Sequence, residues 1–247
     1  MSIEAPFLKR VSLQGGRELA AYPFSIPLAQ KGFDIRLDNP VTILCGENGS
    51  GKSTLIEAIA VHCGFSLTGG SRNHNLHKAP SDVDPLVKSM RFSWALKVSD
   101  GFFMRAESFF QFSNQIDDLA RDSGTSAYSA YGGKSLHERS HGEAFMSLFE
   151  NRFGRKGIYL LDEPEAALSP QRQLALLGLI NDLEKSRNAQ FIIVTHSPII
   201  MAYPGAGVLG IKDGEIAEVN FRSTTHFQLM SRFFANPEKY LADFLAG

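Results

Sequence analysis

The sequence has few of the features that mark secreted or membrane-spanning chains. Its 247 residues include only two cysteines, Cys45 and Cys63, whose spacing fits no CxxC or metal-ligand pattern. We therefore expect both to be small core residues in a reducing compartment. No unbroken apolar run reaches the roughly 18 residues that would span a bilayer, and the first residues contain no signal-peptide core. These absences predict a cytoplasmic chain that does not cross a membrane.

Neither sign of charge predominates in the composition. Lys and Arg number 25 against 26 Asp and Glu, which gives a formal net charge of -1 at pH 7. The composition thus predicts no global field that would attract nucleic acid or an anionic membrane. A local basic face for DNA stays open beside the alternative of scattered solvated charge. Its candidate members are Lys9, Arg10, Arg152, Arg155 and Lys156.

Strand and helix patterns alternate along the chain, which is typical of an α/β protein. Three continuous apolar runs predict strands that are buried on both faces: VTILC (41–45), GIYLLD (157–162) and FIIVTH (191–196). Strands of this type occur in parallel sheets that carry helices on both sides. The sequence therefore predicts a mostly parallel central sheet.

Helical spacing follows these strands. A helix is predicted from Lys52, directly after a glycine-rich turn, and a second helix capped by Ser169 connects the second and third apolar runs. Leu174, Leu177 and Ile180 are predicted to form the buried face of that second helix. The pattern indicates a βαβ unit.

Two hairpins are predicted from turn residues. Residues 92–98 and 102–106 alternate in the strand manner around Ser99-Asp100-Gly101, and Asp213-Gly214 separates two short strand patterns. The end of the chain, residues 225–245, is predicted to be helical.

Strand patterns at residues 7–13 and 34–37 add an N-terminal antiparallel β portion to the predicted sheet. We expect one domain over residues 1–247, with a small helical lobe inserted at about 64–145.

The segment GENGSGKST fits the phosphate-loop pattern GxxxxGK[ST] between a predicted strand and a predicted helix. Gly49 and Gly51 allow the backbone to wrap a triphosphate with its N–H groups pointing inward. Lys52 would reach the β and γ phosphates, and the hydroxyl of Ser53 is placed for Mg²⁺. A plain glycine turn is the alternative. The candidate nucleotide-binding residues are Gly46, Glu47, Asn48, Gly49, Ser50, Gly51, Lys52, Ser53 and Thr54.

Acidic and basic side chains end the next two buried strands, at the edge where open parallel sheets hold ligands. Asp162 would hold the Mg²⁺ that Ser53 also contacts, and Glu163 would orient or deprotonate the attacking water. A solvated acidic strand end is the alternative for this pair. His196 follows Asp162 by one strand-helix-strand crossover, which favours a place on the same rim over a purely structural role.

Four motifs occur in a fixed order along the chain: GENGSGKST, SHGE (140–143), LLDEPEAALSP (160–170) and VTHSP (194–198). In that order they resemble the ATPase heads of the ABC class. More narrowly, they resemble the branch that includes the SMC, RecF-like and OLD-like ATPases and many small bacterial "AAA family ATPase" proteins. The resemblance implies a P-loop NTPase fold of the ABC-ATPase type.

The resemblance also implies roles for these residues. Lys52 belongs to the Walker A motif, Asp162 is the Walker B carboxylate, and Glu163 is the catalytic glutamate. Residues 166–169 would be the D-loop and His196 the switch histidine, so the expected catalytic residues are Lys52, Glu163 and His196. It further implies an ATP-dependent head-to-head homodimer with two nucleotides between the subunits.

The segment SHGE takes the place of the family's signature motif, whose usual form is LSGGQ or LSGGE. The resemblance implies that Ser140, Gly142 and Glu143 contact the nucleotide held by a second subunit. Arg139 and His141 depart from the usual pattern. Ser140 and Glu143 also fit a capping box, and both interpretations are compatible because a helix N-terminus binds anions.

Two further positions stay open. Glu107 stands where the family has a metal-contacting glutamine and is the better position for a metal ligand, whereas Gln111 has the expected chemistry four residues later. Tyr22 and Phe24 precede the phosphate loop and would stack on adenine or else belong to the core.

Three functions compete for this sequence. The first is an ABC-type ATPase that hydrolyses ATP with Mg²⁺ and switches a partner in DNA maintenance, repair or phage defence; the second is the nucleotide-binding subunit of a membrane transporter. The third, a P-loop kinase, needs neither SHGE nor His196. The segments DEPE and THSP and the altered signature favour the first function over the transporter.

The length of the intervening segments narrows the first function. Only 85 residues separate Thr54 from Ser140, too few for a long coiled coil, and about 50 follow Pro198, too few for a nuclease domain. We therefore expect the effector to be a separate protein, while DNA contact stays open.

Overall fold

The structure is a computed structural model that describes residues 3–15, 21–72, 81–154 and 156–246. The described strands are β1 (Leu8–Leu13), β2 (Phe33–Arg36), β3 (Val41–Gly46), β4 (Met90–Trp94), β5 (Gly101–Arg105), β6 (Gly157–Asp162), β7 (Ala189–Val194), β8 (Gly207–Lys212) and β9 (Glu215–Glu218). The described helices are α1 (Pro27–Lys31), α2 (Lys52–Cys63), α3 (Asp84–Ser89), α4 (Phe109–Ser123), α5 (His141–Arg152), α6 (Pro170–Lys185), α7 (Pro198–Met201), α8 (Thr225–Ala235) and α9 (Pro237–Ala246).

The central sheet has six strands in the order β5-β6-β7-β3-β8-β9. Neighbouring strands are parallel except for the β8–β9 hairpin at one edge. Every residue of β6 and β7 is buried, as the apolar runs predict. The prediction of a mostly parallel α/β sheet is therefore confirmed, and the carboxyl ends of β3, β6 and β7 meet along one edge.

A second sheet of three antiparallel strands, in the order β2-β1-β4, confirms the predicted N-terminal β portion. Val11 in its middle strand pairs with Ile35 on one side and Phe92 on the other. A buried amide connects the two sheets. Gln190 of β7 accepts from the N–H groups of Phe7 and Leu8 at 2.8 and 2.9 Å and donates to the carbonyl of Leu8 at 2.9 Å.

The first predicted hairpin is wrong. β4 pairs with β1 in the antiparallel sheet, whereas β5 pairs with β6 in the central sheet, so the two strands lie in different sheets. The cause is the burial of Phe102, Phe103 and Met104, whose side chains need cover on both faces of the strand. The segment 64–145 thus supplies strands to both sheets as well as helices, and its boundaries as a lobe stay a prediction.

The second predicted hairpin forms. β8 and β9 pair through Asp213 and Gly214, whose φ angles of 51° and 77° are those of a two-residue hairpin turn.

Helix α6 begins at the predicted cap, where the Ser169 hydroxyl accepts from the N–H of Arg172. Its predicted buried face is partly wrong. Ile180 is buried, but its companions are Gln173 and Leu176, while Leu174 is 60% exposed. A polar residue occupies the core side because the Gln173 amide donates to the Leu168 carbonyl at 3.0 Å. A pattern of apolar residues alone does not include such a position.

Hydrophobic cores lie on both faces of the central sheet, because successive residues of a strand point to opposite sides. In β6, Tyr159 and Leu161 belong to one cluster, and Ile158 and Leu160 belong to the other. Cys45 and Cys63 are buried free thiols, as predicted, and they lie one in each cluster.

The predicted C-terminal helix consists of two helices, α8 and α9, which have no buried residue. Several large apolar side chains on them are exposed, among them Phe234 at 69% and Phe244 at 73%. Among the described residues, none of the helices combines the length and the apolar character needed to cross a membrane.

Replacing the connecting amide tests how the two sheets are held together. We expect Gln190→Met to lower the free energy of unfolding by roughly 2–5 kcal/mol, because three buried backbone groups lose their partner. Urea unfolding measures this change. The matched control is Gln171→Met at an exposed position of α6, and an equal stability of both variants would contradict the assignment.

Candidate functional site

The phosphate loop lies between the end of β3 and the start of α2, as predicted. Gly49 and Gly51 have φ angles of 77° and 98°, a region of conformational space that favours glycine. Lys52 is 4% exposed, and its ammonium donates to the carbonyls of Gly46 at 3.0 Å and Glu47 at 2.8 Å. Burial lowers the pKa of Lys52, while nearby carboxylates oppose the shift. The carbonyls of the loop therefore hold the ammonium group of Lys52.

The start of α2 leaves donors for an anion. Gly51 is the N-cap residue, and no side chain caps the first turn. The hydroxyl oxygen of Ser50 is buried and has no hydrogen-bond partner among the described residues. A phosphate group would satisfy both the N–H groups and this hydroxyl, so the loop fits the ligand that its sequence predicts.

The carboxylate of Asp162 lies at the end of β6 and is 3% exposed. The hydroxyl of Ser53 donates to its Oδ1 at 3.4 Å, which brings the two predicted magnesium ligands together. Burial raises the pKa of Asp162 to about 6, and the guanidinium of Arg105 opposes this shift.

Arg105 is a site residue that the sequence analysis missed. It ends β5 directly opposite Asp162, and its Nε donates to Asp162 Oδ2 at 2.9 Å. Its Nη2 pairs with Glu57, which lies four residues after Ser53 and therefore one turn further along α2. The guanidinium thus connects β5, β6 and α2 beside the predicted magnesium ligands.

These groups face a common cavity of about 170 Å³. Its lining residues are Ser53, Glu57, Arg105, Glu107, Asp162 and Glu163. Hydroxyl and carboxylate oxygens are the ligands that Mg²⁺ prefers, so these residues fit a magnesium ion. Glu107 lies in the turn after β5 and lines the cavity, whereas Gln111 takes an exposed position on α4.

Glu163 has an unusual backbone. Its φ and ψ angles are 50° and 53°, in the left-handed region, although it carries a side chain and precedes Pro164. Such a conformation costs about 1–3 kcal/mol and is concentrated at functional sites. It presents the carboxylate, which is 36% exposed, with Oε1 at 3.5 Å from Nε2 of His196.

His196 lies two residues beyond the end of β7. Its backbone N–H donates to Glu165 Oε1 at 2.6 Å, which fixes the chain at this point. Its Nε2 is buried and has no hydrogen-bond partner in the described part of the chain. On the other side of the ring, Nδ1 lies 2.9 Å from Nε2 of His226. Glu165 and His226 are further residues that the sequence analysis missed.

The predicted signature residues lie at the start of α5. The N–H of Ser140 donates to Glu143 Oε2 at 3.0 Å, which confirms the capping box. Glu143 also pairs with Arg172 of α6 at 3.5 Å, and a Cβ at Gly142 would come within 2.1 Å of the same guanidinium. The side chain of His141 lies outside the described residues.

The predicted signature residues and the phosphate loop belong to separate hydrogen-bond networks in the described part of the chain. Across the part of the chain that the structure describes, no hydrogen bond or ion pair joins Ser140, Gly142 or Glu143 to residues 46–54. Among the described residues, the start of α5 is therefore not bonded to the group around Lys52 and Asp162.

The two aromatic residues predicted either to stack on adenine or to belong to the core differ in their positions. The hydroxyl of Tyr22 lies 3.4 Å from Thr54 Oγ1, and its ring is half exposed beside the phosphate loop. Phe24 packs against the core, in agreement with the alternative that it is a core residue.

Three of the five candidate basic residues make contacts within the fold. Arg10 pairs with Asp34, Arg152 donates to Ser71, and Lys156 donates to the carbonyl of Ile3. For these three residues, the contacts favour scattered charge over a DNA-binding face. Arg155 lies outside the described residues.

Comparisons with known proteins match the two segments that carry the site residues. A family model described as "AAA domain" matches residues 23–121, and one described as "AAA domain, putative AbiEii toxin, Type IV TA system" matches residues 144–202. The first range contains the phosphate loop, and the second contains Asp162, Glu163 and His196.

Similar proteins of known sequence cover most of the chain. This chain is 26% identical over 222 residues to the aliphatic sulfonates import ATP-binding protein SsuB of Delftia acidovorans. The aligned region covers 89% of each chain. It is also 24% identical over 211 residues to the lipoprotein-releasing system ATP-binding protein LolD of Pseudoalteromonas translucida. That aligned region covers 75% of this chain and 88% of LolD.

The fold is similar to a solved structure described as the SmcHead bound to the C-winged helix domain of ScpA. The TM-score is 0.52 at 16% identity, over 87% of this chain and 98% of the other. The ordered family matches and the phosphate loop, together with this fold, support an ATP-binding P-loop domain of the AAA/ABC type.

The position of Lys52 in the phosphate loop leads to a prediction about ATP affinity. We expect Lys52→Ala to weaken ATP binding at least about tenfold, a loss of about 1.4 kcal/mol, because the charge that faces the phosphates is removed. Isothermal titration calorimetry measures the affinity. Lys88→Ala, which changes an exposed lysine on α3, is the control, and unchanged ATP affinity of Lys52→Ala would contradict the phosphate-loop assignment.

The buried ion pairs predict a pH-dependent effect on stability. We expect Arg105→Met to lower the free energy of unfolding by roughly 2–4 kcal/mol at pH 8, because Asp162 and Glu57 lose their cation. The raised pKa of Asp162 rises further without Arg105, so the carboxyl is neutral at pH 5 and the loss is smaller there. Urea unfolding at both pH values measures this difference. Arg121→Met, in the exposed pair with Asp118, should change stability by less than about 1 kcal/mol at either pH.

Proposed function

We propose that the protein binds and hydrolyses ATP with Mg²⁺ as a head-to-head homodimer, and that closure of the dimer switches a separate effector protein. The observation that carries this proposal is the arrangement at one sheet edge. The Glu163 carboxylate and the unpartnered Nε2 of His196 lie 3.5 Å apart, beyond the loop that holds Lys52. A carboxylate and an imidazole at this position suit attack of water on a γ-phosphate.

Each residue has a distinct part in the proposed reaction. The loop and Lys52 bind the triphosphate, and Ser53, Asp162 and Glu107 would hold the magnesium ion, which when bound neutralises charge on the phosphates. Glu163 accepts a proton from the attacking water. His196 donates a hydrogen bond from Nε2 toward the γ-phosphate.

The proposal of a homodimer is supported by the separation of the start of α5 from the phosphate loop. The start of α5 is a helix end capped by Ser140 and Glu143, and helix N-termini favour anions, yet no described hydrogen bond or ion pair joins it to the phosphate loop of its own chain. A second copy related by a two-fold axis would place each helix end over the nucleotide of the other chain.

The proposed role in DNA maintenance, repair or phage defence is supported by two comparisons. One is the likeness in fold to the SmcHead structure, and the other is the family model whose description names an AbiEii toxin. A second candidate function, the nucleotide-binding subunit of a transporter, is favoured by the relatives named as import and lipoprotein-releasing ATP-binding proteins.

The variant Glu163→Gln tests the proposed mechanism. We expect turnover to fall by roughly 10²–10⁴-fold because the general base is lost, while ATP binding is retained. With Mg-ATP, the variant should accumulate as a dimer, measured by light scattering. Glu138→Gln, outside the site, is the control. A monomer with bound Mg-ATP would contradict the dimer, and turnover at the wild-type rate would contradict the role of Glu163.

The same trapped variant distinguishes the two candidate functions. Tagged Glu163→Gln, recovered from its native cell with Mg-ATP, should bring down a soluble effector protein. Recovery of an integral membrane protein instead would favour the transporter subunit. The Lys52→Ala variant, which is expected to bind ATP more weakly, serves as the control for binding that does not depend on ATP.

A further inference from the structure

The C-terminal helices reach the candidate site through one side chain. His226 is the second residue of α8, and its Nε2 lies 2.9 Å from Nδ1 of His196. The centres of the two rings are 4.8 Å apart, and their planes are inclined by 59°. This contact is an N···N hydrogen bond between two histidines that lie 30 residues apart in the chain.

Such a bond restricts where the protons are, because one nitrogen must carry hydrogen and the other must offer a lone pair. On the far side of His196, Nε2 faces the Glu163 carboxylate at 3.5 Å. At this distance the two groups make no hydrogen bond, but a carboxylate oxygen attracts an N–H and repels a lone pair, so this side favours an N–H at Nε2 of His196. A neutral imidazole carries one proton, and Nδ1 is then the acceptor. His226 must therefore donate from its own Nε2.

The charges around the pair favour neutral rings. Burial lowers the pKa of His196 and of His226, and the Lys52 ammonium lowers both further. Glu163 opposes the shift at His196, and Glu47 opposes it at His226. The hydrogen bond thus joins two neutral imidazoles near pH 7, each with a defined tautomer.

The segment that carries His226 is anchored. Thr224 caps α8 by accepting from the N–H of Phe227 at 3.4 Å, and its hydroxyl donates to the carbonyl of Phe221 at 2.6 Å. The rings of Phe221 and Phe227 meet edge to face at 5.2 Å, and Phe221 packs against the core. The first turn of α8 therefore holds His226 at a fixed place, although no residue of α8 or α9 is buried.

We propose that His226 is a positioning residue for ATP hydrolysis, which sets the Nε2–H tautomer and the orientation of the His196 ring. This inference rests on the proposed ATPase function. It ties the C-terminal helices to turnover, because any displacement of the first turn of α8 removes the donor that His196 requires. The interaction lies within one chain, so it operates in each subunit before a second copy is added.

Two variants of His226 test the inference through ATPase kinetics. His226→Ala removes the donor, and we expect kcat to fall about tenfold while KM for ATP changes less than about threefold, because nucleotide binding does not use this residue. His226→Gln keeps an N–H donor at similar reach, and it should restore kcat to within about threefold of the wild type. His137→Ala, which alters a histidine bonded to Asn114 outside the site, is the control.

A spectroscopic measurement separates positioning from a purely structural effect. Nitrogen-15 NMR of the nucleotide-free protein distinguishes protonated from unprotonated ring nitrogens. We expect His196 to be protonated at Nε2 in the wild type and in His226→Gln, and to show a mixture of tautomers in His226→Ala. An unchanged His196 tautomer in His226→Ala, or unchanged kcat, would overturn the inference.

The outcomes also distinguish this inference from the proposed function. If the wild-type protein does not hydrolyse ATP, the proposed function fails, and the tautomer measurement still decides whether His226 sets the state of His196. If the wild type hydrolyses ATP and Ala and Gln at position 226 are equally impaired, His226 has only a structural role and the inference fails.

Discussion

The site depends on the parallel pairing of β3, β7 and β6. In this register Asp162 lies opposite Val194, and Val194 lies opposite Leu44, so the three residues form one row across the sheet. The phosphate loop begins two residues beyond Leu44, and His196 lies two residues beyond Val194. The backbone hydrogen bonds of three buried strands therefore bring loop, carboxylate and imidazole to the same edge.

Charge balance at this edge is the second constraint. Asp162 and Lys52 are both nearly inaccessible to solvent, and a buried charge is stable only where it has partners. Lys52 is held by loop carbonyls, whereas Arg105 neutralises Asp162 and Glu57 together. These partners hold the binding groups in place, which reduces the reorganisation needed when a ligand binds.

Sequence patterns predicted the parts of the site that local chemistry determines. The phosphate loop, the buried strands ending at Asp162 and near His196, and the capping box at Ser140 each depend on a few adjacent residues, and each is present. The predicted face of α6 was only partly right: Ile180 is buried, but so is Gln173, a polar residue that a hydrophobic pattern does not count.

Residues that act across the sheet order were not predictable in this way. Arg105 meets Asp162 only because β5 joins the central sheet, whereas the local turn signal placed its strand in a hairpin with β4. His226 meets His196 only because α8 returns to the sheet edge after the β8–β9 hairpin. No short-range pattern contains either contact, since each joins segments that are distant in sequence and have no fixed spacing.

The left-handed backbone of Glu163 has a consequence for which residues evolution and engineering can place there. Side chains branched at Cβ are disfavoured in this region of conformational space, and the following Pro164 narrows the choice further. Residues that tolerate the conformation, such as asparagine, aspartate and glycine, lack the reach of glutamate. Both shape and chemistry therefore restrict position 163, and a change in one cannot be made without cost to the other.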